Sequence, residues 1–130
     1  MIVSDIVESE INTGISKDTI IIGGFSQGGA ISLYNGVTNG RYGGILCLSA
    51  YLPLIEEIPK DKLQNVESPL LMCHGVDDQV IPIKKSKTAF ETIKGKNLKY
   101  KEYQMGHNAD YEELQDVVKW IASLETTSKL

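Results

Sequence analysis

The sequence predicts an α/β fold: a parallel sheet of about four strands with flanking helices. Short apolar, β-branched runs alternate with helix-length amphipathic stretches along the whole chain, and that alternation calls for parallel pairing through right-handed crossovers. At 130 residues the chain reads as one domain, residues 1–130, with a modest core. Its 42% hydrophobic and 23% charged content is ordinary for a globular domain.

The elements follow in order. Val3, Ile6, Val7 and Ile11 recur near helical spacing, with Asp5, Glu8 and Glu10 between them, and Gly14 suits the end of that helix. Thr19 to Ile22 is an unbroken run that predicts a strand buried on both faces. Gln27 to Val37 reads as a helix, Ile45 to Ser49 as a second buried strand, and Leu52 to Pro59 as a long loop. A short helix or turn is expected over Asp61 to Val66, and Pro69 opens a third strand, Leu70 to Cys73. Ile83 to Ile93 looks helical and Leu98 to Tyr103 looks like a fourth strand. Tyr111 to Leu124 is an amphipathic final helix in which Trp120 shares a core stripe with Val117, Ile121 and Leu124, and the polar tail around Lys129 is expected to be loose.

Charge and cysteines exclude several function classes. The net charge is −4 and the basic residues are scattered, apart from Lys84, Lys85 and Lys87 at the start of a helix, which read as a solvated face. This argues against a nucleic-acid surface or a polybasic membrane anchor. Cys47 and Cys73 each lie within an apolar strand run, as buried free thiols in a reducing compartment do. No apolar run approaches a membrane span, no signal-peptide pattern opens the chain, and no His/Asp/Glu cluster has metal-ligand spacing. A cytoplasmic protein is expected.

The chemistry centres on Gly24-Phe25-Ser26-Gln27-Gly28, which follows an apolar strand and opens a helix. G-x-S-x-G in that context is the nucleophile elbow, whose serine sits in a strained turn at the top of a sheet. Neither the Rossmann nor the P-loop glycine spacing is present. Ligands bind at the carboxyl ends of parallel strands. The third strand ends in His74-Gly75-Val76-Asp77-Asp78, and the fourth in Gln104-Met105-Gly106-His107. The chain order Ser, Asp, His is that of the α/β hydrolases. A serine hydroxyl needs a neutral imidazole to take its proton, so Ser26 requires a base such as His107. An acid then fixes the tautomer of that imidazole; Asp77 and Asp78 both qualify, with Asp78 favoured. The Gln27 backbone N–H is placed to donate to the oxyanion. His74 reads as a structural, hydrogen-bonded residue of the acid-bearing turn.

The stretches Ile22 to Tyr34, Leu48 to Leu54, His74 to Pro82 and Met105-Gly106-His107 resemble the acyl-protein thioesterases, a lysophospholipase-like carboxylesterase family, over nearly the whole chain. The resemblance implies a triad of Ser26, Asp78 and His107, settling Asp78 over Asp77. It implies hydrolysis of long-chain thioesters and esters, including S-acylated proteins and lysophospholipids, without a cofactor.

Family members carry further N-terminal strands, a His-Gly-Leu-Gly-like turn with a second oxyanion donor, and a loop over the acyl chain. The sequence contains none of these, and His74-Gly75 follows the nucleophile. The chain is therefore expected to be the carboxyl-terminal part of such a domain, with the Ser26 strand at an open edge and part of one sheet face uncovered. Weak activity and self-association through that edge are expected. The alternatives are a non-catalytic fragment that binds another chain through the edge, and a short-chain carboxylesterase. Serine at the elbow argues against a cysteine-dependent dienelactone hydrolase.

Overall fold

The computed structural model describes residues 2–128, so the tail around Lys129 lies outside the described residues. Helix α1 spans Ile2–Asn12 and ends before Gly14, whose φ of 102° suits glycine. A short 3-10 turn at Lys17–Thr19 leads into β1, Ile21–Phe25, and α2, Gln27–Thr38. Then come β2 (Gly44–Leu48), a 3-10 turn at Ile55–Glu57, α3 (Lys60–Gln64) and β3 (Leu70–Gly75). Helix α4 (Ile83–Thr92), β4 (Leu98–Tyr103) and α5 (Tyr111–Ser128) complete the chain.

The four strands form one parallel sheet in the order β1-β2-β3-β4, with register pairs Phe25↔Leu48, Leu48↔Cys73 and Gly75↔Tyr103. Because strand order rises steadily along the chain, crossovers of constant hand place their helices on one face. Ala30, Leu33 and Val37 of α2, Leu63 of α3, Ala89 of α4 and Ile93 just after it share a core there with Ile22, Ile45, Cys47, Leu70 and Met72. Among the described residues the opposite face is covered by α5 alone, whose Val117, Trp120 and Leu124 pack on Leu48, Leu71, Cys73 and Tyr103.

This one-sided layering corrects the expectation that the first strand is buried on both faces. Ile22 is 7% exposed beneath α2, whereas Ile21 and Phe25 on the other face are 37% and 41% exposed, because α5 lies over β2 to β4. The strand also starts later and runs further than Thr19 to Ile22. Thr19 belongs to the 3-10 turn, and Gly23-Gly24-Phe25 are drawn into the sheet by pairing with Leu46, Cys47 and Leu48. As expected, β1 is an edge of the sheet.

Both cysteines are buried and free. On the α2 side, the buried Tyr42 hydroxyl donates to Asn35 Oδ1, and its backbone N–H donates to Ser68 Oγ at 2.8 Å. This ties the α2–β2 connection to the base of β3.

Leu33 is fully buried in the larger core and Val118 is 66% exposed on α5. Leu33→Ala is expected to cost about 2–5 kcal/mol, and Val118→Ala to stay within about 0.5 kcal/mol of the parent. Urea unfolding midpoints measure the contrast.

Candidate active site

Three connections leave the carboxyl ends of β1, β3 and β4 on the same side of the sheet, and each carries one of the expected residues. Ser26 sits between β1 and α2 with φ 57° and ψ −119°, a conformation costly for a side-chain-bearing residue. Its N–H donates to Leu48 O at 2.8 Å and its carbonyl accepts from Ala30 N–H at 3.0 Å, so the strained turn is anchored to both neighbours. Glycine is required at 24, where a Cβ would lie 2.5 Å from the Gly28 carbonyl carbon. A Cβ on Gly28 would meet nothing within 4 Å, so this second glycine leaves open space beside the serine.

His107 lies between the other two residues. Its Nε2 is 2.9 Å from Ser26 Oγ and its Nδ1 is 2.7 Å from Asp78 Oδ2. A carboxylate only accepts, so Nδ1 carries the proton and Nε2 presents its lone pair to the serine hydroxyl. The Phe25 ring packs against the imidazole with centroids 4.8 Å apart. The loop bearing His107 reaches this position by crossing the end of β3, where a Cβ on Gly75 would lie 2.3 Å from Met105 O.

Asp78 has a fully buried side chain. Burial pushes its carboxyl up, but hydrogen bonds from the Ile81 N–H, from His107 and from the Val80 N–H outweigh that and leave it below the ordinary aspartate value. The turn is built for an anion. Asp77 has no such role: its N–H donates to Met105 O and links the acid turn to the His107 loop. Gln27 is the first residue of α2, so its backbone N–H stands at the helix N-terminus beside Ser26.

Sequence reasoning missed two features. Phe25 reads as elbow filler, and only its strand pairing aims the ring at His107. Glu113 reads as a surface acid of a helix, yet it is fully buried and neither carboxylate oxygen has a hydrogen-bond partner. The Asp110-x-x-Glu113 spacing is the available signal, since Asp110 Oδ1 caps the Glu113 N–H at 3.0 Å. Among the described residues no cluster could hold a metal ion, and no helix is long and apolar enough to cross a membrane.

A serine elbow on a parallel sheet, with imidazole and carboxylate in line behind it, defines an α/β hydrolase fold. The phospholipase/carboxylesterase family profile matches residues 1–125, and the chain belongs to that family of hydrolases. It is 41% identical over 121 residues to acyl-protein thioesterase 1 of Neurospora crassa, covering 87% of this chain and 49% of the relative. It is 37% identical over 127 residues to acyl-protein thioesterase 1 homolog 1 of Dictyostelium discoideum, covering 93% and 56%. Zea mays acyl-protein thioesterase 2 superposes with a TM-score of 0.74 at 25% identity, over 91% of this chain and 61% of that one. Arabidopsis thaliana SOBER1 does so with a TM-score of 0.74 at 25% identity, over 94% and 60%. The chain spans about half the length of the curated relatives it matches.

Burial, with Asp110 adding to it, pushes the Glu113 carboxyl from 4.5 up to about 7. A carboxyl whose value is raised by folding keeps its proton in the folded state and loses it in the unfolded one, so stability falls as pH rises from 4.5 to about 7. Glu113→Gln has no such proton. Its thermal midpoint, relative to the parent, is expected to rise through that window and level off above it; a constant difference would contradict the assignment.

Proposed function

We propose that this chain carries the reacting centre of a serine hydrolase that cleaves acyl thioesters and esters through an acyl-enzyme on Ser26. The observation that carries this reading is the unbroken line from Ser26 Oγ to His107 at 2.9 Å and from His107 to Asp78 at 2.7 Å. His107 Nε2 takes the serine proton as Oγ attacks the acyl carbon, while Asp78 holds the Nδ1–H and stabilises the imidazolium. The Gln27 N–H donates to the oxyanion. Collapse of the tetrahedral intermediate expels the thiol or alcohol, which takes its proton from His107. Water activated by the same imidazole then attacks the acyl-enzyme and releases the acid.

The names of the matched relatives point to S-acylated proteins as substrates, and the chemistry equally serves lysophospholipids and other long-chain esters. The reaction needs no cofactor, residues 1–130 act as one domain, and the reading includes a cytoplasmic setting. Within the sequence, no glycine-rich turn upstream of Ser26 offers a second oxyanion donor. Loss of one donor costs about 10²–10³ in turnover, so the chain expressed alone should be slow.

A fluorophosphonate probe is expected to modify Ser26, with the adduct located by mass spectrometry and abolished in Ser26→Ala. Hydrolysis of a short activated ester should be detectable, well below that of a complete hydrolase. A folded, soluble sample that forms no adduct would sink the reading. Rates that fall steadily with acyl length would reassign the chain as a short-chain carboxylesterase.

The open edge of β1 favours a second reading, a non-catalytic chain that binds another by strand addition. Ile21 and Phe25 of that strand present exposed apolar surface. Self-association is the simplest form, and Ile21→Lys should weaken it, since an edge lysine opposes strand pairing. Light scattering across a concentration series measures this. A monomer at every concentration would remove self-association.

A further inference from the structure

His74, the other of the two histidines in the chain, takes part in none of these steps. It lies at the penultimate position of β3 with no solvent exposure, four positions before Asp78. We propose that His74 is a positioning residue that locks the Asp78 carboxylate for its bond to His107, an inference that rests on reading Asp78 as the orienting acid.

The hydrogen-bond geometry carries it. His74 Nε2 is 2.7 Å from the Ile81 carbonyl oxygen, and a carbonyl only accepts, so Nε2 bears a proton. The same nitrogen is 3.3 Å from Asp78 Oδ2, with both side chains fully buried. A carboxylate offers about four lone-pair positions. Oδ1 of Asp78 accepts from the N–H groups of Val80 at 2.9 Å and Ile81 at 2.8 Å, and Oδ2 faces His107 Nδ1 at 2.7 Å and His74 Nε2 at 3.3 Å. Three donors hold the carboxylate, and the His74 proton, committed to the Ile81 carbonyl, fixes the residue that supplies one of them.

Ile81 closes the circuit: its N–H holds one carboxylate oxygen, and its carbonyl takes the proton of the ring that abuts the other. Rotating the carboxylate therefore disturbs donors on both oxygens. Without His74, the Ile81 carbonyl would lose the ring N–H that fixes it and the Ile81 N–H its set aim at Oδ1, while Oδ2 is held by His107, the donor whose ring changes charge during turnover. A residue that merely closes the turn would affect stability and leave the Asp78–His107 bond as it is. A positioning residue affects that bond.

The test uses the full chain and three substitutions. His74→Phe keeps the bulk of the ring and removes the donor, His74→Gln puts an amide N–H near the position of Nε2, and His74→Asn carries an amide too short to reach it. Each is measured by thermal midpoint, by the downfield proton resonance of His107 Nδ1–H, and by the rate of fluorophosphonate labelling at Ser26. His74→Phe leaves His107 as the only imidazole, so the resonance needs no further assignment. The expected result is a folded His74→Phe variant with the resonance lost to exchange, and labelling slowed about 10–100-fold, the range for outer-shell partners. With a turned-over ester the loss should fall on kcat and leave KM unchanged. His74→Gln should restore resonance and rate. A folded His74→Phe variant with the parent's resonance and labelling rate overturns the proposal. If it does not fold, equal behaviour of the Gln and Asn variants overturns it, and retention in Gln with loss in Asn supports it. A parent chain that shows the His74-dependent resonance but never labels would sink the hydrolase reading and leave the positioning role standing.

Discussion

Everything at the site depends on parallel pairing in rising strand order. Parallel strands must all end on the same side of the sheet, so the connections after Phe25, Gly75 and Tyr103 converge although their residues lie far apart in sequence. The register fixes the convergence more finely. Phe25 pairs with Leu48, whose carbonyl receives the Ser26 N–H, and Gly75 pairs with Tyr103, whose carbonyl receives the Val76 N–H. The elbow and the acid turn are thereby hung from neighbouring strands by backbone bonds, which no side-chain substitution directly removes.

On that frame, two costs are accepted at one place. Ser26 holds a positive φ, and Asp78 holds a carboxylate with no solvent exposure. The first is stabilised by backbone bonds on either side of the serine, the second by donors surrounding both oxygens. A buried carboxylate without such donors would take up a proton and could no longer hold the Nδ1–H of His107 as an anion. The low value of Asp78 and the orientation of the imidazole are thus one property of the 74–82 turn. Glu113 shows the opposite outcome nearby: a carboxyl equally hidden, given no donor, and pushed up to about 7.

Much of this was legible in the sequence because periodicity and punctuation are local. The limits of β4 coincide with the expected strand Leu98 to Tyr103, and α5 begins at Tyr111 as its spacing indicates. Ser26 and His107 could be singled out because each follows a recognisable strand, whereas Asp77 and Asp78 follow the same one and only the family resemblance chose between them. What stayed hidden is non-local. That Gly23-Gly24-Phe25 form strand rather than turn depends on pairing with β2. That one face of β1 is uncovered depends on where α5 lands, which a run of isoleucines does not encode. The proton on His74 Nε2 is set by a carbonyl across the turn, and the burial of Glu113 by the packing of α5 against β3; no residue spacing announces either.

The asymmetry of the sheet links the two functional readings. Asp78 and His107 follow β3 and β4; β3 is buried throughout, whereas β4, the other edge of the sheet, is buried only at Tyr103. Ser26 follows β1, an edge strand whose Ile21 and Phe25 are partly exposed on the face that α5 leaves uncovered. Phe25 belongs to both settings, since its ring lies on the exposed face and also packs on His107. A strand that paired along β1 would therefore cover Phe25, stiffen the segment leading into Ser26, and bring its own backbone N–H groups toward the elbow, where Gly28 leaves space. The two proposed readings therefore share one surface, because the edge open to strand addition is also the side support of Ser26.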